Sequence, residues 1–394
     1  MVTTALDENP TGTGTVAGNA RLRGPSPATV YCAGLYVATR LAVALGWVVA
    51  SLGRTGVQRG DPAVPWDSFW YLTIARTGYS PTLHPVGLGT HDRYSEWAFY
   101  PAYPLVVRGF ATATRLPLVS AGYVVAGLLG VCAVRAVYAL GAEVAGEAVG
   151  RASALLFAAW PGSVALSLAY SEGLFVTAAA VALVLAMRRR WWLAGIAGLV
   201  ATASRPTGLA LLGALAVAAG VDIARGGRRS LPALAAPVVA ALGIGGFALY
   251  GGLRTGDWLV WRHAEALWGQ RLDFSTGLVR SWVTRLTHHA GYRSVRALLE
   301  IAGMAALLAG LGAAARRWRQ LPVPVLVYLV LASATVLGYS RVGTRPRMVL
   351  GVVPVFVALA AVLPRRVVEV VAVAFASTIA LVTFLYVGDP HVLP

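Results

Sequence analysis

The chain has 394 residues, 57% of them hydrophobic and 12% charged, with a mean hydropathy of +0.68. That composition excludes a soluble globular domain, and repeated apolar runs of spanning length imply an all-α polytopic membrane protein. The net charge of +17 rests on 33 basic residues, all arginine; with no soluble basic domain to carry it, it points away from nucleic acid and toward membrane lipid headgroups and lipid phosphates.

Residues 1–28, rich in Thr, Gly, Ala and Pro, read as a disordered cytoplasmic tail. The apolar run 29–52 follows Arg21 and Arg23 and reads as a signal-anchor span, too long and too late for a cleaved signal peptide. Residues 53–117 form a first outer loop. Apolar runs then recur at 118–141, 151–170, 172–187, 191–203, 207–223, 231–252, 297–315, 321–339, 346–363 and 366–388, giving about eleven spans within one transmembrane domain, 29–394. The segment 98–116, with Pro101, Pro104 and Arg108, suits an interfacial or re-entrant stretch. Kept on the outer surface, it puts Arg188–Arg190, Arg225/Arg228/Arg229, Arg316/Arg317/Arg319 and Arg365/Arg366 in the cytoplasm, as the positive-inside rule requires. Cys32 and Cys132 lie inside apolar runs, so neither a disulfide framework nor a cysteine metal site is indicated, and no internal repeat is evident.

With that topology six polar clusters fall on the outer side: WDSFWY, YSEWAFYPAYP, AYSEG, ASRPTG, the long loop 253–296 and SRVGTRPR. Convergent polar groups on one face of a membrane bundle suggest a site. The loop 253–296 carries seven arginines, against the rule for short loops but apt for handling a phosphate.

In PWDSFWYLTIARTGY a helix starts near Asp67, with Trp66, Phe69, Trp70 and Ile74 on one face of an amphipathic helix at the interface. Asp67 reads as an acid satisfying the first amides of that helix. It also reads as a general base, and the two roles can coexist because a helix N-terminus favours negative charge. Glu96 and Tyr100 sit in an aromatic segment that is either a belt anchor or a second acidic and binding element. Ser171-Glu172, after Tyr170, either caps the next helix or offers Glu172 to sugar hydroxyls. Ser204–Gly208 breaks two short spans around Pro206, which leaves a cavity with Arg205 at its floor. Arg341 and Arg345, with Arg347, repeat that pattern, unless they are a solvated charge run. Arg40 and Arg135 lie within spans without an evident partner, and Arg262 and His263 are candidates to line the pocket.

WDSFWYLTIARTGY, WAFYPAYPL, AYSEGLF and ASRPTGL, in that order over roughly residues 30–215, resemble the GPI mannosyltransferase II (PIG-V) family of the GT-C superfamily, and the lysine-free basic set fits a bacterial, actinobacterial member. The resemblance implies a GT-C bundle and an inverting mannosyltransferase. Such an enzyme takes mannose from polyprenyl-phosphate-mannose to a lipid-linked acceptor outside the cytoplasm, with no nucleotide sugar. It assigns the first-loop acid to Asp67 and the second motif to Phe99-Tyr100-Pro101, with Tyr100 in place of a more usual Phe and Glu96 ahead of it. No metal or other cofactor is expected, because no acidic pair lies at ligand spacing around Asp67. The competing readings are a GT-C transferase for another prenyl-phosphate sugar, a lipid-linked sugar flippase or transporter, and a non-catalytic scaffold subunit.

Overall fold

A computed structural model describes residues 26–52, 67–84, 94–270, 272–288, 292–339 and 345–388. The expected tail lies outside these residues up to position 25, as do Trp66 and Arg341. Among the described residues the architecture is all-helical, and an isolated bridge between Leu272 and Tyr339 is the one strand-like pairing.

The chain begins with α1 (Pro27–Leu52), a 26-residue apolar helix whose Val37, Leu41, Leu45 and Val48 face outward. At 1.5 Å per residue it is about 39 Å long, enough to cross a hydrocarbon core of about 30 Å. Its other face packs on the last helix, α16 (Arg365–Gly388), closely enough that a Cβ at Gly46 would run into the Ala380 carbonyl. Small residues at such crossings are how helices associate in lipid, where burial of apolar surface gives little drive. Arg40, midway along α1, has no carboxylate partner among the described residues. Its guanidinium donates to the Ser163 carbonyl at 2.7 Å and the Ser167 hydroxyl at 2.7 Å, and sits over the Tyr36 ring.

Among the described residues five stretches are long and apolar enough to span a membrane: Pro27–Leu52, Leu118–Ala145, Gly208–Thr255, Arg293–Arg316 and Arg365–Leu385. The chain is therefore a membrane protein. The eleven expected spans are not matched one for one by this measure. The third stretch is two helices, α8 (Gly208–Gly226) and α9 (Ala235–Thr255), joined by a 3₁₀ turn that starts at Gly227 with φ +58. The expected span 151–170 is instead α5 (Glu147–Ala159) followed by a 3₁₀ segment, Pro161–Ser167, bent by 77° at the intervening residue. Proline here removes a helical hydrogen bond and forces the break. The expected span 346–363 is likewise two pieces, α14 (Arg345–Leu350) and α15 (Pro354–Val362). Shorter apolar helices are α6 (Glu172–Met187), α7 (Trp191–Thr202) and α13 (Val323–Gly338). The breaks at Pro161–Ser167 and at α14–α15 are buried in the bundle, where irregular backbone is tolerated because protein surrounds it, whereas α7 and α13 keep an exposed face through Trp192, Ile196 and Val330.

Two cores result. The larger joins α4 (Leu118–Ala145), α5, α6, α8, α13 and α15 around Phe157, Phe175, Tyr328 and Phe356. The smaller is aromatic and holds the first loop. It combines α2 (Asp67–Thr77), a 3₁₀ turn Glu96–Ala98, α3 (Ala102–Thr114) and α10 (Val260–Leu267). Trp70 stacks on Phe99, Tyr79 on Trp97 and Tyr94 on Trp268. The α2 helix is not a one-faced interfacial element. Trp70, Tyr71, Leu72, Ile74 and Ala75 are all buried, because α3, α4 and the 3₁₀ turn cover it from several sides. The 13-residue α3, within 98–116, is too short to be counted among the spanning helices.

Candidate functional site

A cavity of about 1080 Å³ opens between the two cores. It is bordered by Asp67, by Tyr94, Ala98, Phe99 and Tyr100, by Ser204–Thr207, by parts of the loop 253–296 and by Arg347. Five of the six polar clusters thus meet at one space, and the sixth, AYSEG, stands directly behind it through Ser171 and Glu172.

The charged wall is a chain of alternating signs. Asp67 opens α2, and its Oδ2 is 2.5 Å from Nη2 of Arg347. The same guanidinium gives its Nε to Oε1 of Glu172, in the first turn of α6. Glu172 Oε1 also meets Nη1 of Arg205 at 2.5 Å. The faces of Arg347 are used too, since its guanidinium lies 4.3 Å from the Tyr170 ring centroid. Arg347 and Glu172 are buried, whereas Asp67 and Arg205 keep side-chain exposures of 18% and 15%. Asp67, Arg205 and Arg347 border the cavity, and the buried Glu172 holds both arginines in register from behind. Buried charges of this kind persist only when paired, because an isolated one would be heavily penalised.

Backbone contacts fix the parts. The Ala102 amide, an orphan of the first turn of α3, donates to the Ala203 carbonyl at the end of α7, which ties the first loop to the 203–208 break. Ser171 precedes α6 but makes no side-chain cap; its hydroxyl lies 2.6 Å from the Tyr71 hydroxyl. Trp160 Nε1 donates to the Pro346 carbonyl at 2.5 Å, and a Cβ at Gly162 would collide with that same carbonyl. The bent segment after α5 thus clamps the peptide just before Arg347.

Arg345 and Arg347 have different tasks. Arg345 turns away, is 1% exposed, and donates to the carbonyls of Val336 and Tyr339 at the end of α13. A cation on the terminal carbonyls of a helix is a favourable cap. Arg345 does not border the cavity, whereas Arg347 does. His263 does not border it either; it pairs with Asp257 at 2.6 Å on the surface and helps to hold the Asp257 carboxyl below its usual range. Arg262 borders the cavity and reaches the Tyr339 hydroxyl at 3.3 Å. Tyr100 borders it as well. Glu96 is buried outside it, where Oε1 accepts from the Ser80 amide at 2.8 Å. Tyr170 and Glu172 support the arginines from behind.

Several bordering residues carry no motif signal. Glu265 on α10 is 4% exposed, and burial pushes its carboxyl up to about 7 against the opposing pull of Arg262. At the far end Glu300, on α12 (Tyr292–Arg316), takes Arg296 at 3.1 Å and Arg285, on α11 (Thr276–His288), at 3.3 Å. Arg285 and Arg296 belong to the arginine-rich loop 253–296, the one hint available beforehand. Among the described residues no group of three or more His, Cys, Asp or Glu is placed to hold a metal ion.

No protein-family model matches the chain, and no curated protein matches it. Solved structures of the oligosaccharyltransferase AglB of the archaeon Archaeoglobus fulgidus are similar in part. One, with zinc and sulfate, is 18% identical at a TM-score of 0.43, covering 90% of this chain and 53% of that one. Another, with an inhibitory peptide and a dolichol-phosphate, is 15% identical at 0.44, covering 91% and 56%. A third, tethered to an acceptor peptide, is 15% identical at 0.44, covering 91% and 55%. The chain spans about half the length of these structures.

Proposed function

We propose that the chain is an inverting GT-C-type glycosyltransferase that moves mannose from polyprenyl-phosphate-mannose to a lipid-linked acceptor on the outer side of the membrane. The observation that carries the reading is one carboxylate, Asp67, paired with one arginine, Arg347, at the edge of a cavity within a membrane bundle. The choice of mannose rests on the motif resemblance alone.

The chemistry needs few groups. A sugar on a phosphodiester leaves as a stable phosphate, so no general acid is required. An acceptor hydroxyl attacks C1 from the face opposite the phosphate, and its proton goes to Asp67. The C1–O bond breaks, and the electron pair departs with the prenyl phosphate. A positioned base contributes about 10²–10⁴-fold. Arg347 and Arg205 supply the preorganised positive charge at the leaving phosphate, and arginine forks match phosphate oxygens well. As phosphate draws on Arg347, the Asp67–Arg347 contact loosens and the carboxylate becomes available to the acceptor. Glu172 holds both arginines throughout and is a positioning residue. The prenyl tail lies along a lipid-facing groove, which is why a bundle in the bilayer suits the reaction.

The test uses the protein in lipid nanodiscs with radiolabelled polyprenyl-phosphate-mannose, host membrane glycolipids as acceptors and EDTA throughout. Wild type is expected to produce a new labelled lipid, and Asp67→Asn to produce none while inserting normally. Near-normal turnover by Asp67→Asn would overturn the base assignment. Transfer abolished by EDTA and restored by a divalent cation would overturn metal independence.

A further inference from the structure

A second set of residues bordering the cavity is built on another plan. Tyr100 precedes α3, Trp261 and Glu265 stand one turn apart on α10, and Thr207 precedes α8; all four border the cavity. Each has a buried polar atom without a hydrogen-bond partner among the described residues: Tyr100 Oη, Trp261 Nε1, Glu265 Oε1 and Thr207 Oγ1. Tyr100 is 1% exposed and Glu265 4%. Native interiors leave few such groups unpaired, and a cluster of them at one cavity needs an explanation. Arg262 Nη1 is 3.8 Å from the other Glu265 oxygen, too far for a hydrogen bond.

We propose that this wall is a pyranose subsite in which Glu265 accepts hydrogen bonds from sugar hydroxyls while Tyr100, Trp261 and Thr207 supply the remaining polar contacts. The proposal rests on the glycosyl-transfer reading and refines it. Two hydroxyls, an indole N–H and a carboxyl present mixed donors and acceptors of low net charge, which suits a neutral polyol. The rings of Tyr100 and Trp261, 6.4 Å apart and near perpendicular, add apolar faces for the C–H side of a sugar. An anion is disfavoured here by Glu265 and favoured at Arg205 and Arg347. Burial places the Glu265 carboxyl near neutrality, where it both accepts and donates. The four atoms are shielded from water, so a ligand reaches them by local side-chain rotation.

The experiment measures binding apart from turnover. The full chain in nanodiscs is titrated with methyl α-D-mannopyranoside, methyl α-D-glucopyranoside and inorganic phosphate while tryptophan fluorescence is followed; Trp261 and Trp268 both border the cavity. A saturable response to at least one pyranoside is expected. It should weaken about tenfold in Glu265→Gln and in the near-isosteric Tyr100→Phe, the loss of roughly one hydrogen bond each, and persist in Asp67→Asn. No saturable pyranoside response in wild type, a response to phosphate alone, or equal affinity in wild type and both variants would overturn the subsite. Thermal unfolding of each variant guards against misfolding, and Tyr100→Phe decides if Glu265→Gln is unstable. Transfer assays with octyl α-mannoside as acceptor then identify the sugar held. A raised KM for the prenyl-phosphate donor marks the donor sugar, and a raised KM for the glycoside marks the acceptor sugar. Turnover by Asp67→Asn would sink the catalytic reading while leaving the pyranoside result standing, so the two fail separately.

Discussion

The charged and the neutral walls of the cavity solve the problem of buried polarity in opposite ways. On the Asp67 side each charge meets an opposite one, and Asp67, Arg347, Glu172 and Arg205 form one continuous chain. On the α10 side, Tyr100, Trp261, Glu265 and Thr207 leave polar atoms unmatched. A paired wall is rigid before anything binds, and ligand phosphate competes for charges already in place. An unmatched wall is held by its surroundings, here the aromatic core of Trp70, Phe99 and Trp268, and gains its partners from the ligand. In the proposed reaction, preorganisation would then sit where charge develops and adaptability where shape is read.

The sharpest way to break this contrast is to remove the arginine shared by both acids. Arg347→Ala leaves Asp67 and Glu172 without that partner, and unpairing a buried ion pair costs about 3–5 kcal/mol. A large fall in thermal midpoint and loss of transfer are expected, and Arg347→Lys should not restore transfer because one ammonium cannot replace the fork. An unchanged midpoint in Arg347→Ala would show that the charged wall is not held by pairing.

Glu265 tests the other wall by pH. Its carboxyl is raised from 4.5 to about 7 in the folded chain. The folded state therefore binds more protons than the unfolded one between those values. Its stabilising share is full below about 4.5, falls as pH rises, and is lost once pH passes about 7, a change on the order of 3 kcal/mol. Thermal midpoints measured at pH 5.5 and pH 8 should differ more for wild type than for Glu265→Gln; equal differences would remove the special environment of this acid.

Gly162→Ala forces a methyl into the Pro346 carbonyl and toward the Arg347 amide, a misfit of about 1–3 kcal/mol. Lower stability and reduced transfer are expected together. Gly245→Ala, with open space around its site, serves as the control and should lower neither. The smallest effect belongs to His263→Ala. Its pair with Asp257 is exposed, so about 0–1 kcal/mol and no change in transfer are expected. A large loss of transfer would bring His263 back into the site.

Much of this arrangement was legible in the sequence because its parts are local. Asp67 at a helix start, the Pro206 break and Arg205 beside it are each readable within a few residues, and the structure puts them at one cavity. What distinguishes Arg345 from Arg347 is not local. Both belong to RPR, and only the packing of Trp160 and Gly162 on Pro346 decides which one faces inward. Glu265 lies in an ordinary amphipathic helix, and the role proposed for it depends on Tyr100, which the fold brings to the same cavity from a distant part of the chain. The eleven apolar runs blurred broken helices into spans, since hydropathy averages over a proline break that costs little apolarity. The burial of α2 was hidden for a related reason: aromatic residues on one helical face do not reveal that other elements cover the remaining sides.

Asp67 and Arg347 are separated by 280 positions, and Glu172 and Arg347 by 175. During synthesis, which runs from the N-terminus at about 5–20 residues per second, the acids enter the membrane well before the arginine that joins them. Until Arg347 emerges, the growing chain holds Asp67 and Glu172 without their shared partner. A fragment ending before α14 therefore carries a carboxylate and no completed site. Completion of the ion-pair chain is thus a late event in the biogenesis of this protein, and the last third of the chain joins groups that the first two thirds hold apart.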